Sequence, residues 1–498
     1  MFKYTMFCFF LVWTMTCNCQ ENSDSIPEEL KPFIRAVEEP CVFKEIPDFV
    51  KTKPSEYVTK AEAHEDIEML QYLFDNAYSG RYYWEQNGFD YNNYYRTLHK
   101  FIDVSSSTDT VDVKKLENSI FNNLEINDGH TAVVGFSFQG CYRSVMPYYA
   151  EIIIEKQEDK YVVIESNQSG IESGMEYNDS TSFLFKTLSR QGTEQFLLGT
   201  LSIEKVDTLS LKFNNRKNTI KLHPSRLSNI EVDREKVVVK IDTINNIPIV
   251  RSSSFNWGKD KVQFLEKFVS YGKELKDKPL FIWNLTGNWG GDANFPYRFI
   301  RNFNTICQDQ SYGLVLHSPA VNQCYWTGKN DWLQWPDIYK KALNDDSFPL
   351  DSIPEGKREK IRLIREDKKI MINKPIKYWE IRMKPEKKYG DYNGKAIILV
   401  NNQTGSASND AIAGSKSIPN TMLIGENTAP SYSIGNMKFY QLKNTRIVLW
   451  IPGNLGIHED NKMEKGFFPD YWLDSNVPID EIMNWINNPN EYQFTYSN

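Results

Sequence analysis

The chain has 498 residues, of which 40% are hydrophobic and 14% aromatic, enough to form about two or three hydrophobic cores. Its net charge is −7 with acidic and basic residues interspersed, which argues against a nucleic-acid-binding surface and against a polybasic membrane patch. No apolar run beyond the N-terminus reaches the length of a transmembrane helix.

The first 19 residues are typical of a secretory signal. Lys3 precedes an apolar stretch, and small and polar residues follow it. We therefore expect export to the periplasm or the cell surface. Cys17 and Cys19 are candidate lipid-anchor positions of a bacterial lipoprotein, although the residues before them fit such a signal poorly.

Four cysteines follow the signal, namely Cys41, Cys141, Cys307 and Cys324. An even number in an exported chain permits two disulfides, with three possible pairings. Four buried free thiols are the alternative.

Residues 30–140 are predicted to form a helical domain, because apolar residues recur at helical spacing over 59–75 and again over 111–124. Near its end lies His130, one of only six histidines, in an Asp-Gly-His segment. A lone histidine beside an Asp-Gly turn is usually a structural residue. Because so few imidazoles are available, His130 is nevertheless a candidate general base.

The sequences of two further regions predict secondary structure, but these regions carry no catalytic motif. Residues 141–225 contain short alternating runs, such as 150–154 and 208–213, which predict strands. Residues 320–385 have the character of an insertion, and their charged helical run at 357–369 predicts a solvated face.

An apolar strand within 279–291 runs into a glycine-bearing loop. Gly290 and Gly291 lack a Cβ, so their backbone can approach a substrate carbonyl and offer an N–H to it. Taken alone, such a loop is most often just a turn.

A second strand, 397–400, ends in a polar turn that contains Gly405, and Ser406 follows directly. The small apolar residues at 411–414 indicate that a helix begins here. A serine at a helix N-terminus is placed where a developing negative charge is favoured. The alternative is that Ser406 or Ser408 simply caps the helix.

In their order and spacing, four segments resemble the C-terminal-processing (tail-specific) serine peptidases. Residues 284–291 read Asn-Leu-Thr-Gly-Asn-Trp-Gly-Gly, 404–409 read Thr-Gly-Ser-Ala-Ser-Asn, 425–428 read Gly-Glu-Asn-Thr, and 466–470 read Gly-Phe-Phe-Pro-Asp. The resemblance is nearly continuous over about 245–475. It implies a mixed α/β fold with a core of the crotonase/Clp-protease-like type.

The resemblance also implies a domain layout. We expect the helical N-terminal domain at 30–140, a degenerate PDZ-like, β-rich module at 141–225, and the catalytic core at 226–485 with its insertion at about 320–385.

Departures from the family pattern indicate which branch of the peptidase family the chain resembles. The Ser/Lys branch carries its lysine base 25 positions after the nucleophile, where this chain has Ser431. The branch similar to the tricorn core peptidase takes a histidine from an Asp-x-His segment, which His130 matches. In that branch a serine beside the histidine and a glutamate near the last motif complete a tetrad. Glu464 is well placed for the second role, but Gly129 replaces the serine.

The family's Asp and Arg before the Gly-Gly loop are replaced by Asn284 and Thr286. The resemblance implies a nucleophile, a base, an orienting acid and two oxyanion donors: Ser406, His130, Glu464, the N–H of Ala407, and the N–H of Gly290 or Gly291. It implies no metal and no organic cofactor.

The predicted activity is that of an exported serine endopeptidase that cleaves peptide or protein substrates by acyl-enzyme chemistry. One alternative is a catalytically weak or inactive relative that binds peptides. Another is a hydrolase that acts on a non-peptide acyl group.

Overall fold

The computed structural model describes most of the chain between residues 46 and 473. The described ranges are 46–50, 52–105, 109–189, 193–225, 239–244, 246–256, 261–303, 312–318, 324, 327–331, 335–371, 379–380, 392–418, 420–458 and 466–473. The predicted signal and the candidate lipid-anchor positions Cys17 and Cys19 lie outside these ranges, as do Cys41, Cys307 and Glu464.

The N-terminal part is a cluster of helices beside a small antiparallel sheet. Its elements in chain order are β1 (Tyr57–Thr59), α1 (Lys60–Asn76), α2 (Arg81–Gln86), α3 (Tyr91–Val104), β2 (Thr110–Asp112) and α4 (Val113–Asn122). Helix α1 begins at a capping box in which Thr59 and Glu62 each bind the other's backbone N–H. The helices predicted at 59–75 and 111–124 are confirmed as α1 and α4.

Residues after α4 first form a hairpin, β3 (Ala132–Val134) and β4 (Phe138–Gly140). An antiparallel sheet follows, made of β5 (Met146–Gln157), β6 (Lys160–Ser166), β7 (Glu176–Tyr177), β8 (Leu184–Leu188), β9 (Glu194–Ser202), β10 (Thr208–Phe213), β11 (Arg216–Lys221) and β12 (His223–Pro224). Its strand order is β11-β10-β7-β6-β5-β9-β8, with β12 also paired to β5. The strands predicted at 150–154 and 208–213 are confirmed.

The C-terminal half supplies the remaining elements. In chain order they are β13 (Val239–Ile244), β14 (Ile247–Ser252), α5 (Val262–Leu275), β15 (Leu280–Asn284), α6 (Asn294–Ile300), β16 (Tyr312–His317), α7 (Asp337–Asn344), α8 (Glu355–Met371), β17 (Trp379–Glu380), β18 (Lys395–Val400), α9 (Ala407–Ser415), β19 (Thr421–Gly425), β20 (Ile434–Gln441), β21 (Val448–His458) and β22 (Tyr471–Trp472).

One sheet of this half has the order β13-β14-β15-β18-β19-β22, and every pair in it is parallel except β13–β14. Side chains of β18 alternate between its two faces. Ile398 and Val400 pack with α5, α6 and α9, whereas Ile397 and Leu399 pack with β15 and β19 on the other face. Burial on both faces explains why this strand is a continuous apolar run.

The second sheet of this half joins distant parts of the sequence. Its order is β17-β16-β21-β3-β4, and β20 pairs with β21. Hairpin β3–β4 thus pairs with a strand more than 300 positions later, since Val134 lies opposite Val448. This sheet packs against the N-terminal helices through residues such as Ile434 and Leu449. His130, just before β3, is therefore held beside the C-terminal half.

The predicted mixed α/β class is confirmed, and the finer domain layout stays a prediction. Within 141–225 the described residues are β-rich, and residues 169–175 form turns. Cys141 and Cys324 are buried free thiols. Within the described ranges, no helix is both long and apolar enough to cross a bilayer.

Candidate active site

Ser406 lies at the carboxyl end of β18, in the turn that leads into α9. Its φ is +52° and its ψ is −124°, a conformation rarely adopted by residues other than glycine, with a strain of about 1–3 kcal/mol. The Ser406 side chain makes no capping bond to α9. The alternative that Ser406 merely caps the helix is therefore wrong, and its half-buried hydroxyl is available for other contacts.

The loop after β18 is fastened to the loop after its neighbour β15. Asn401 Oδ1 accepts the Gly287 N–H at 2.9 Å, and Thr404 Oγ1 donates to the Leu285 carbonyl at 2.9 Å. The Gly405 N–H donates to the Asn288 carbonyl at 2.9 Å. Because β15 and β18 are adjacent and parallel, both loops leave the same edge of the sheet, where open α/β sheets bind their ligands.

Gly290 lies directly against the nucleophile turn. A Cβ at this position would be 2.6 Å from the Ala407 nitrogen and 2.6 Å from Ser406 Cβ, so only glycine fits. The Gly290 N–H itself donates to Asn288 Oδ1 at 2.9 Å. Gly291 forms a parallel bridge with Phe255, and the two hydrogen bonds of that bridge use the Gly290 carbonyl and the Asp292 N–H. The Gly291 N–H takes no part in that bridge, whereas the Gly290 N–H is already bound to Asn288.

His130 contacts Ser406 across 276 positions of sequence: its Nε2 lies 3.0 Å from Ser406 Oγ. The other ring nitrogen, Nδ1, lies 2.5 Å from the Ile434 carbonyl. A carbonyl can only accept, so Nδ1 carries the proton and Nε2 is left to accept the serine hydroxyl. The structure therefore brings together the predicted nucleophile and the predicted base in the tautomer that a base requires.

The electrostatics favour a neutral imidazole. Burial lowers the pKa of His130, and this effect outweighs the opposing influence of Asp128 and of the Ile434 carbonyl. A neutral ring can take the Ser406 proton at neutral pH.

Ser431 occupies the position where the Ser/Lys branch has its base, and it contacts the nucleophile turn. Its Oγ accepts the Ser406 N–H at 2.8 Å. A Cβ on Gly405 would lie 2.6 Å from Ser431 Oγ, and a Cβ on Gly129 would lie 2.5 Å from Ser431 Cβ. The glycine at 129 is therefore required by the side chain at 431, which explains the departure from the family pattern at position 129.

The altered residues before the Gly-Gly loop form a turn of their own. Asn284 Oδ1 accepts the Thr286 N–H at 3.0 Å and the Thr286 hydroxyl at 2.7 Å. Ser408, the alternative serine, is fully buried, and its Oγ has no hydrogen-bond partner among the described residues.

The sequence did not single out three groups that shape this site. They are the Ile434 carbonyl, the buried side chain of Asn288 and the Ser431 hydroxyl as an acceptor. Two of them had a sequence signal: Ser431 lies 25 positions after Ser406, and Asn288 belongs to the motif at 284–291. In the part of the chain that the structure describes, no group of three or more His, Cys, Asp or Glu could hold a metal ion.

Among solved structures, the chain is similar to mature CPAF, with 14% identity and a TM-score of 0.42 over 87% of this chain and 96% of that one. The photosystem II D1 C-terminal processing protease is 13% identical, with a TM-score of 0.35 over 87% and 99% of the two chains. The tricorn protease is 13% identical, with a TM-score of 0.34 over 86% of this chain and 37% of that one.

No protein-family model and no curated protein sequence matches the chain. Because the identities are low and the TM-scores lie below 0.5, these similarities carry no information about the chemistry of the site. The structural neighbours nevertheless include a C-terminal processing protease and the tricorn protease, so the resemblance predicted from the sequence motifs is confirmed as a resemblance.

Proposed function

We propose that the protein is a serine peptidase that cleaves peptide bonds through an acyl-enzyme, with Ser406 as nucleophile and His130 as general base. The observation that carries the proposal is the distance of 3.0 Å between His130 Nε2 and Ser406 Oγ, with the serine in a strained turn at a helix N-terminus. A strand, a sharp turn, an exposed serine and a helix also form the arrangement by which unrelated hydrolases present a nucleophile.

In the first half of the reaction, Ser406 Oγ attacks the substrate carbonyl while His130 Nε2 takes the hydroxyl proton. The C–N bond then breaks, and the imidazolium returns that proton to the leaving amine. In the second half, His130 activates a water that hydrolyses the ester, and Ser406 regains its proton. The Ile434 carbonyl keeps the proton on Nδ1 throughout and faces the positive charge of the imidazolium.

The developing oxyanion requires N–H donors that are already in place. We assign this role to Ala407, the first residue of α9, together with Gly291, whose N–H takes no part in the bridge to Phe255. Loss of one such donor costs about 3 kcal/mol of transition-state stabilisation. Gly290 contributes by its lack of a Cβ, which lets the two loops meet.

The orienting role that the resemblance implies for Glu464 stays a prediction, because Glu464 lies outside the described ranges. The same applies to export through the signal at 1–19 and to a lipid anchor at Cys17 or Cys19. The proposed substrate is a peptide or protein. Residues 141–225, proposed to form a PDZ-like module, would bind it outside the cleavage site.

A serine-reactive fluorophosphonate probe tests the chemistry directly. The wild-type protein should be labelled, and Ser406→Ala should abolish the labelling. Ser408→Ala is the matched control, since it removes a buried hydroxyl without a partner two positions away and should leave labelling within about twofold.

Labelling that survives Ser406→Ala but disappears in Ser408→Ala would reassign the nucleophile. A folded wild-type protein that resists the probe at all pH values would favour the alternative of a peptide-binding relative without activity. Turnover of a generic casein substrate, lost in Ser406→Ala, would separate a peptidase from a hydrolase of non-peptide acyl groups.

A further inference from the structure

A buried carboxylate lies two residues before the proposed base. Asp128 is only 1% exposed, and its Oδ1 accepts the backbone N–H of His130 at 2.8 Å. Its Oδ2 accepts the hydroxyl of Thr131 at 2.5 Å and that of Tyr78 at 2.9 Å. The carboxylate thus binds the backbone N–H of His130 and the side-chain hydroxyls of Thr131 and Tyr78.

The hydrogen-bond directions indicate that this carboxylate is ionised. The His130 backbone N–H can only donate. Trp84 Nε1 donates to the Tyr78 oxygen at 2.9 Å, which leaves the Tyr78 hydrogen directed at Asp128. Three donors converge on Asp128, and hydrogen bonds to the charged form stabilise it against the desolvation that raises the pKa of this carboxyl.

The N-terminal helices hold Asp128 in place. Tyr78 lies in the turn between α1 and α2 and is itself 1% exposed. A Cβ on Gly80 would lie 2.6 Å from the Tyr78 oxygen and 2.9 Å from Ile434, so this turn also contacts the strand whose carbonyl binds His130. The base is therefore fixed at its backbone and at its ring by contacts with the same packed cluster.

We propose that Asp128 is a positioning residue of His130: it fixes the backbone of the base and supplies a negative charge that stabilises the imidazolium formed during catalysis. The inference rests on the proposed function, because an imidazolium forms only if His130 acts as the base. It extends that function by giving the N-terminal helical region a direct part in the chemistry, through Tyr78.

The titratable groups that face Asp128 determine in which direction the pKa of His130 should move when the Asp128 charge is lost. They are His130 itself, Tyr78 from the turn after α1, Tyr91 from α3, and Cys141, which follows β4. Burial raises the pKa values of both tyrosines and of the thiol, so they stay neutral near pH 7. His130 is the group proposed to gain a charge during catalysis, and loss of the Asp128 charge should lower its pKa.

The test measures the pKa of His130 by NMR in full-length protein carrying 13C-labelled histidine. His130→Gln identifies the resonance among the six histidines of the chain. Asp128→Asn keeps the size of the side chain and removes its charge, and it should lower the pKa of His130 by about one unit. Asp128→Ser, which also removes the charge, should lower the pKa of His130 in the same way and serves as the second variant if Asp128→Asn does not fold.

Asp66→Asn is the matched control. Asp66 is also 1% exposed and accepts the N–H and hydroxyl of Thr445, so its replacement perturbs a similar buried carboxylate away from His130. Asn at position 66 keeps an oxygen acceptor for Thr445, so α1 stays docked and the pKa of His130 should be unchanged. An unchanged or raised pKa of His130 in the folded Asp128→Asn or Asp128→Ser variant overturns the inference. The inference is also overturned if the pKa of His130 falls in Glu464→Gln but not in Asp128→Asn, because the charge partner of His130 would then be Glu464.

Fluorophosphonate labelling provides the second readout. At a pH above the pKa of His130, Asp128→Asn should be labelled at least tenfold more slowly than wild type, and Asp66→Asn within about twofold of it. The two proposals can fail separately. Wild-type protein that is never labelled removes the proposed peptidase chemistry, whereas labelled protein without the NMR shift removes only the role of Asp128.

Discussion

The two halves of the candidate catalytic pair are built in opposite ways. Ser406 is presented by one contiguous piece of sequence, in which strand β18, a tight turn and helix α9 follow one another within 21 residues (395–415). His130 is presented by contacts from far along the chain, since its ring binds the Ile434 carbonyl 304 positions away. Its backbone binds Asp128, which in turn binds Tyr78 of the N-terminal helices.

This difference predicts how each half responds to change. The nucleophile turn stores its strain locally and is held by neighbouring loops of the parallel sheet, so it depends on the core alone. The base depends on the docking of the helical cluster against β20 and β21, because both its ring and its backbone are held there. Perturbation of the N-terminal region should therefore impair the base before it impairs the nucleophile.

The largest expected effect comes from removing either half of the pair. Ser406→Ala and His130→Ala should each lower kcat by about 10⁴–10⁶-fold, because members of a catalytic unit act together. The double variant should be scarcely worse than the more impaired single variant. Peptide turnover measured for all three proteins checks this. Additive losses would show that the serine and the histidine act in separate steps.

The same contrast explains how much could be predicted from the sequence. The strand at 397–400, the turn and the following helix were predicted because burial, glycine content and helix start signals are local. His130 was found through its Asp-x-His segment. The Ile434 carbonyl could not be predicted, because a backbone acceptor gives no residue-type signal. The role of Ser431 also escaped prediction, since it follows from a contact with Gly129 that lies about 300 positions away in sequence.

The contact between positions 129 and 431 provides the next largest effect. Gly129→Ala would place a Cβ 2.5 Å from Ser431 Cβ, so the loop that carries His130 must move. A displacement of about 1 Å in a catalytic group costs about 100-fold in rate, and we expect a loss of that size in kcat. In a Ser431→Gly background the clash is absent, and Gly129→Ala should then cost little.

A double-mutant cycle over these two positions measures that coupling in kcat, with thermal unfolding as a check on the fold. Equal losses from Gly129→Ala in both backgrounds would mean that position 129 is constrained by something other than Ser431.

The pH dependence tests the base in the unmodified protein. His130 must be neutral to accept the serine proton, and burial lowers its pKa from the ordinary value of 6.5. The rate of fluorophosphonate labelling should be constant at neutral pH and should fall tenfold per unit once the pH drops below that lowered pKa. The midpoint should therefore lie below 6.5. A midpoint at higher pH, retained in folded His130→Gln, would assign the titration to another group.

A smaller effect is expected when the acceptor of the nucleophile's own amide is removed. Ser431→Ala retains the Cβ that packs against Gly129 but loses the 2.8 Å bond from the Ser406 N–H. A hydrogen bond of this kind contributes about 1 kcal/mol, so kcat should fall about fivefold. Ser431→Thr, which restores a hydroxyl, should recover part of the loss if the larger side chain is tolerated. No change in Ser431→Ala would show that the strained turn is held by its neighbouring loops alone.

The smallest effect is expected at Asn284, the last residue of β15, which replaces the family's aspartate. Arg251 is the register partner of Asn284 on the adjacent parallel strand β14, and its buried Nε has no hydrogen-bond partner among the described residues. Asn284→Asp keeps the acceptor that binds Thr286 and adds a negative charge beside this guanidinium. The pair should raise the free energy of unfolding by about 0.2–1 kcal/mol and leave kcat within about twofold.

The same substitution in an Arg251→Gln background should lose that gain, which a thermal-unfolding cycle over the two positions can measure. If the gain in unfolding free energy persists without Arg251, it originates in the turn formed by Asn284 and Thr286. A large change in kcat would mean that residue 284 takes part in the chemistry that the local contacts assign to Ser406 and His130.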